Sequence, residues 1–167
     1  RKSIDVLIKA IAHINIPTVK LLIMGDGPER GYLESLVREL SLQNRVTFLG
    51  FVADEQKFAY LSQSNLFVLT SMHEGFGIVF MEAMYCGLPI VATNYGGQVD
   101  FLTHGENALL INVGDVKGCA ASIMRFYTDK KLYKRCSINN KRKITTFYAE
   151  NVAVQYMNIF KTLIKTK

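Results

Sequence analysis

Five short apolar runs, at 19–24, 45–49, 66–69, 89–92 and 108–111, alternate along this chain with segments whose apolar residues recur at helical spacing. Strands separated by helices of this length need crossover connections, so they predict βαβ units and a mostly parallel sheet covered on both faces, an α/β fold. Glycines follow the runs almost without exception: Gly25 and Gly27, Gly50, Gly75 and Gly77, Gly96 and Gly97. In a parallel sheet those positions gather on the carboxyl rim, where such folds bind ligands. The pattern therefore predicts a crevice of nucleotide size on one edge of the molecule.

In chain order, Ser3 stands where it can cap a helix with Ile4, Leu7, Ile8, Ile11 and Ile14 inward. Pro28 suits the first turn of a second helix, whose stripe is Tyr32, Leu33, Leu36, Val37 and Leu40. Asp54 is placed to cap a short helix with Phe58 and Leu61 inward. A short helix is expected around 99–102, one from Asp115 to about 124, and two more at about 130–146 and 150–165. No repeat or low-complexity linker interrupts the pattern, so 1–167 reads as one domain.

The stretch 71–92 carries most of the chemistry. Two glycines flank Phe76, an amphipathic helix follows, and Cys86-Gly87-Leu88-Pro89 ends it, with Gly87 at the C-cap position. The amides of Gly75, Phe76, Gly77 and Ile78 lie at a helix start, where backbone N–H groups lack helical partners and attract phosphate. Glu74 precedes the helix and Glu82 falls inside it, eight positions on. Carboxylates beside an anion site suit the hydroxyls of a sugar, and together they suggest a sugar nucleotide.

Charge and cysteines narrow the partners. The net charge is +6, but Lys130, Lys131, Lys134, Arg135, Lys141, Arg142 and Lys143 supply it within 14 residues. On a helical pattern such a run reads first as a solvated face, then as an anionic-membrane contact, and last as a nucleic-acid site. No nucleic-acid motif accompanies it. Cys86, Cys119 and Cys136 have no metal-like spacing, which predicts packing roles in a reducing compartment and a cytoplasmic location. No apolar run is long enough to span a bilayer, and no signal peptide is visible. A Gly-x-Gly-x-x-Gly after the first strand, the mark of a hydride-bearing cofactor, is lacking.

The ordered segments resemble one family. Glu74-Gly75-Phe76-Gly77 through Glu82-Ala83 looks like the Glu-x7-Glu motif of retaining glycosyltransferases with the GT-B fold, particularly family 4. Lys2-Ser3-Ile4-Asp5-Val6-Leu7-Ile8, Leu22-Ile23-Met24-Gly25-Asp26-Gly27-Pro28 and Arg45-Val46-Thr47-Phe48-Leu49-Gly50-Phe51-Val52 are similar to further family segments. So are Gly87-Leu88-Pro89-Ile90-Val91-Ala92-Thr93 and Gly105-Glu106-Asn107-Ala108-Leu109-Leu110. The chain departs from the pattern at Ser3 and Ala108, where the family carries glycine, and at Asp100, where it carries glutamate.

The resemblance implies a Rossmann-like three-layer αβα domain, the nucleotide-sugar-binding C-terminal half of a two-domain enzyme. The family's first strand, central in the sheet, would lie before Arg1. The helix at 150–165 would present Val152, Tyr156, Ile159, Phe160 and Leu163 to the N-terminal domain. Implied roles are Glu82 on the ribose, the amides of Phe76, Gly77 and Ile78 on the diphosphate and donor sugar, and Glu74 on the transferred sugar. Lys2 would neutralise the diphosphate, Gly25 would sit in the rim turn, and the main chain at Phe51 and Val52 would meet the base. His73 would be a loop residue without a catalytic part. The family implies a glycan or lipid-linked acceptor, surface-polysaccharide assembly, no metal and no cofactor. A sugar-nucleotide epimerase, a glycan phosphorylase and a non-catalytic nucleotide-sugar-binding module share the architecture and are the alternative readings.

Overall fold

A computed structural model describes residues 1–165. Five strands alternate with helices: β1 (Leu21–Met24), β2 (Val46–Gly50), β3 (Phe67–Leu69), β4 (Ile90–Thr93) and β5 (Ala108–Ile111). The helices are α1 (Ile4–Ala12), α2 (Arg30–Glu39), α3 (Asp54–Gln63), α4 (Ile78–Tyr85), α5 (Val116–Thr128), α6 (Lys130–Ile144) and α7 (Ala149–Lys165). Every named strand pair is parallel, as the crossover lengths require. β1 pairs with β2, and β4 lies between β3 and β5.

Alternation along the strands divides the core in two. Val68, Val91, Leu109 and Ile111 face one side and pack with α1, α2 and α5, including Leu7, Ile8, Val37 and Ile123. Phe67, Leu69, Ile90, Ala92 and Ala108 face the other, against Leu61 of α3 and Phe80, Ala83 and Met84 of α4. Helices on both faces of a parallel sheet make the three-layer α/β architecture that the sequence predicts. β4, covered on both faces and both edges, is buried throughout.

The two sheets do not hydrogen-bond to one another. The outer edges of β1 and β3 face a groove of about 1580 Å³, lined by Leu21–Met24 of β1, residues 66–69, and Ile4, Leu7 and Ile11. That groove explains why residues 66–69 are half-buried rather than buried, and why Leu22 is 40% exposed. The strand that the resemblance places in the middle of the sheet is not among the described elements.

Four local expectations are corrected. Ser3 precedes α1 but does not cap it with its side chain: it is left-handed (φ 48°, ψ 45°), whereas a capping side chain needs an extended backbone. Its carbonyl instead accepts hydrogen bonds from Val6 N and Thr70 Oγ1 (2.8 Å), and the positive φ is one that glycine adopts without strain. Ala53 occupies the cap of α3, so Asp54 becomes the first helical residue and pairs with Lys57. Tyr32 is 52% exposed on the groove side of α2, leaving Leu36 and Val37 as the buried stripe. The helix expected around 99–102 is a short 3-10 turn at Gly97–Asp100.

Other expectations hold. Leu88 N bonds Ala83 O and Gly87 N bonds Met84 O, a Schellman ending for α4. Asp115 caps α5 by accepting from Gly118 N. Cys119 and Cys136 are buried, which pushes their thiols up to about 12 and about 11, so neither forms thiolate near neutral pH. Asn140, fully buried on α6, donates to Leu88 O and Asn107 O and so ties that helix to the loops that enter β4 and β5.

Candidate functional site

The loops that leave β3 and β4 build the rim, and hydrogen bonds lock them together. Thr93 Oγ1 donates to Ser71 O (2.8 Å), and Gln98, fully buried, donates to Thr93 O and Tyr95 O. Gly97 N donates to Glu74 O (2.8 Å). The contact is so close that a Cβ at Gly97 would lie 1.8 Å from Gly75 O, so no other residue fits without moving the loop. Gly77 has φ +79°, and a Cβ there would lie 2.6 Å from the ring of Phe80. From beneath, Phe76 packs on Phe101 (5.4 Å between centroids) and Phe147 (6.1 Å). Such ring clusters hold a loop in one geometry.

This support leaves a row of open donors. Among the described residues, the amides of Gly75, Phe76, Gly77 and Ile78 have no hydrogen-bond partner ahead of α4. Ile78 is 69% exposed, so the row faces solvent rather than the core. Unpaired amides at a helix start, with the positive end of its dipole behind them, attract a phosphate-like anion.

Two acid–base pairs flank the row. Glu74, 8% exposed, takes hydrogen bonds from Lys2 Nζ and Ser71 Oγ (2.7 Å). Lys2 reaches it because Thr70 holds Ser3 O and Met72 N donates to Arg1 O (2.9 Å). Burial alone would push the Glu74 carboxyl up. The hydrogen bonds from Lys2 and Ser71, with the charges of Lys2 and Arg1, outweigh it and hold the group below the usual carboxylate range. On α4, Glu82 Oε1 accepts from Lys57 Nζ of α3 at 2.6 Å.

Lys2, Gly25 and Glu82 line the groove together, with Met72, Val79 and Lys57 beside them. Glu74 is absent from that lining and reaches it only through Lys2. Phe51 is 88% exposed, and it and Val52 occupy the loop after β2. His73 is exposed, its ring 5.7 Å from that of Tyr95. Lys57 and Ser71 are the members that the sequence reading does not name. The Asp54–Lys57 spacing on a helix was the available signal for Lys57, but its bond to Glu82, 25 positions away, obeys no local period. Among the described residues, no three His, Cys, Asp or Glu side chains converge as a metal site.

Residues 1–143 match the family described as Glycosyl transferases group 1, and the chain belongs to that family. It is 32% identical over 148 residues to 2-deoxystreptamine N-acetyl-D-glucosaminyltransferase of Niallia circulans, covering 88% of this chain and 38% of that protein. A lipopolysaccharide core biosynthesis glycosyltransferase of Rhizobium meliloti is 34% identical, with 96% of this chain and 46% of the relative aligned. The structure superimposes on Anabaena HepE in complex with UDP-glucose with a TM-score of 0.84 at 30% identity, covering 98% of this chain and 45% of that one. The chain thus spans less than half the length of each of these relatives, and its fold is that of one half of a GT-B glycosyltransferase.

Proposed function

We propose that this chain is the donor-binding domain of a retaining glycosyltransferase, which moves a hexosyl group from a nucleoside-diphosphate sugar to a glycan or lipid-linked acceptor. The row of unpartnered amides at Gly75–Ile78, next in sequence to the Glu74 that Lys2 bonds, carries the reading. The UDP-glucose bound by HepE, which shares the fold over nearly the whole chain, supports it. In the reaction the bond from sugar C1 to the diphosphate oxygen breaks, and its electron pair leaves with the nucleoside diphosphate. The amides of Phe76, Gly77 and Ile78 and the Lys2 ammonium stabilise that charge where it develops. The acceptor hydroxyl adds to C1 from the face that the leaving group vacates, and a phosphate oxygen takes its proton. Glu74 orients the hydroxyls of the sugar, Glu82 accepts from the ribose, and the main chain at Phe51 and Val52 meets the base. Gly25 brings the turn after β1 to the same rim. The diphosphate charge is met by amides and Lys2, and the reading includes no metal or cofactor.

The other substrate and the second domain lie across the cleft. The apolar face of α7, with Tyr156, Ile159, Phe160 and Leu163 each more than half exposed, supports a docking role against an N-terminal domain.

Calorimetry of the full-length protein with UDP, GDP and ADP tests the donor site. At least one is expected to bind, and Glu82→Ala to weaken it about tenfold through loss of a hydrogen bond to a charged acceptor. Binding of none of the three overturns the reading.

The reading also places the enzyme at the cytoplasmic face of an anionic membrane. The cations of α6 support this, since Lys130, Lys131, Lys134, Lys141 and Arg142 are exposed. No helix among the described residues is long and apolar enough to cross a membrane. Attachment through charge is worth about 1 kcal/mol per lysine or arginine near the surface. Sedimentation is therefore expected with vesicles containing phosphatidylglycerol and to fall away when Lys131, Lys134, Lys141 and Arg142 are replaced by Gln. Equal recovery with neutral vesicles removes the membrane contact and leaves the donor site standing.

A further inference from the structure

Lys57 is a charged residue of the groove to which neither the family resemblance nor the proposed chemistry gives a task. It sits in the first turns of α3 and points across to α4, where its ammonium donates to Glu82 Oε1 at 2.6 Å and to Asp54 Oδ1 at 2.9 Å. The side chains of Lys57 and Glu82 are 23% and 17% exposed, while Asp54 is 86% exposed on the outer edge. The ammonium also lies 5.5 Å from the centroid of the Phe58 ring. Both Lys57 and Glu82 line the groove that also holds Lys2 and Gly25.

Glu82 is a long side chain on a helix, and without a partner it would sample several rotamers. The bond from Lys57 selects one of them and occupies one oxygen. The other oxygen, Oε2, accepts no hydrogen bond among the described residues. A carboxylate held in this way presents a fixed acceptor toward the groove. The hydrogen bond to Glu82, followed by that to Asp54, raises the ammonium above its ordinary range, so Lys57 stays charged throughout the neutral region.

The geometry points to Lys57 as a positioning residue that fixes Glu82 to read the ribose diol of the donor, so that the Lys57–Glu82 pair selects ribonucleotides over deoxyribonucleotides. The inference rests on the donor-binding reading above, since it is Glu82 on the ribose that gives the pair something to read. A site built to bond a hydroxyl rejects the analogue that lacks it, because its acceptor is then left unsatisfied. A lysine serving only to join α3 to α4 would affect both kinds of nucleotide alike. One contacting the diphosphate would do so too.

The test is calorimetry on the full-length protein with whichever of UDP, GDP and ADP it binds most tightly, and with the 2′-deoxy counterpart of that nucleotide. The native protein is expected to prefer the ribonucleotide by about tenfold. In Lys57→Met the ribonucleotide weakens about tenfold, the deoxy form changes less than about twofold, and the preference nearly vanishes. Lys57→Arg, which keeps a charged donor, recovers most of the preference. Equal weakening of both nucleotides in Lys57→Met overturns the inference and leaves donor binding intact, as does an unchanged preference. If the native protein binds none of the three diphosphates, the donor reading falls and this one with it. Melting temperatures of the variants establish that each is folded at the temperature of titration.

Discussion

Gly97→Ala is expected to weaken nucleoside-diphosphate binding about a hundredfold, some 2.7 kcal/mol, although Gly97 itself touches no substrate in the proposed site. The cause is distance alone. A methyl group at this position would stand 1.8 Å from Gly75 O and 2.8 Å from the Gly75 carbonyl carbon, both rigid backbone atoms. Nothing flexible lies in the way to yield, so the loop after β3 must move off the loop after β4. It takes with it the amides of Gly75, Phe76 and Gly77 and breaks the bond from Gly97 N to Glu74 O. Forcing extra atoms into a tight contact costs about 1–3 kcal/mol of stability as well. The fair control is Gly31→Ala, where a Cβ meets nothing within 4 Å and the helical position favours alanine. Titration below the melting temperature of each variant separates the two effects. If Gly97→Ala binds like the native protein, the amide row is not the anion site.

The alternation of strand and helix was open to inspection in the sequence because burial imposes it residue by residue. Ile90, Val91 and Ala92 form an unbroken apolar run since β4 is covered on both faces, and the side chains of β4 and β5 divide between the two cores at period two. What escaped the sequence depends on contacts that no local rule encodes. Ser3 has the side chain of a cap, and only its tie to Thr70, 67 positions away, accompanies a left-handed backbone that prevents capping. Gly96-Gly97 could be read as a turn, yet the functional content of Gly97 is its contact with Gly75, set by the packing of two crossovers. Glu82 could be picked out by its spacing from Glu74, but the partner that aims it comes from another helix. The half-buried state of 66–69 likewise follows from an open groove beside β3 rather than from any residue within it.

The second large effect concerns Glu74, whose loss is expected to reduce turnover far more than affinity. Glu74→Gln keeps the shape of the side chain and removes its charge, so Lys2 loses the carboxylate that directs its ammonium. With the donor sugar no longer oriented and the lysine free to wander, kcat is expected to fall about a hundredfold or more, with KM changed only a few-fold. A KM effect as large as the kcat effect would mean that Glu74 serves ground-state binding only. The same substitution has a signature in stability. The folded Glu74 carboxyl lies below its ordinary 4.5, held there by Lys2, Ser71 and nearby charge against the opposing effect of burial. A group whose pKa is lowered on folding contributes stability above its unfolded pKa and loses it as pH falls through the folded value. Because Lys2 is 43% exposed, the contribution is discounted for solvent to about 1–2 kcal/mol. Native protein is therefore expected to exceed Glu74→Gln in stability by that amount at pH 7. The gap should close as pH drops below about 4.5, when protonation of Glu74 removes the charge that Gln lacks at every pH. Urea unfolding of both proteins between pH 7 and pH 3 measures the gap, and a difference that stays constant across that range would show that the Lys2–Glu74 pairing does not depend on an ionised Glu74.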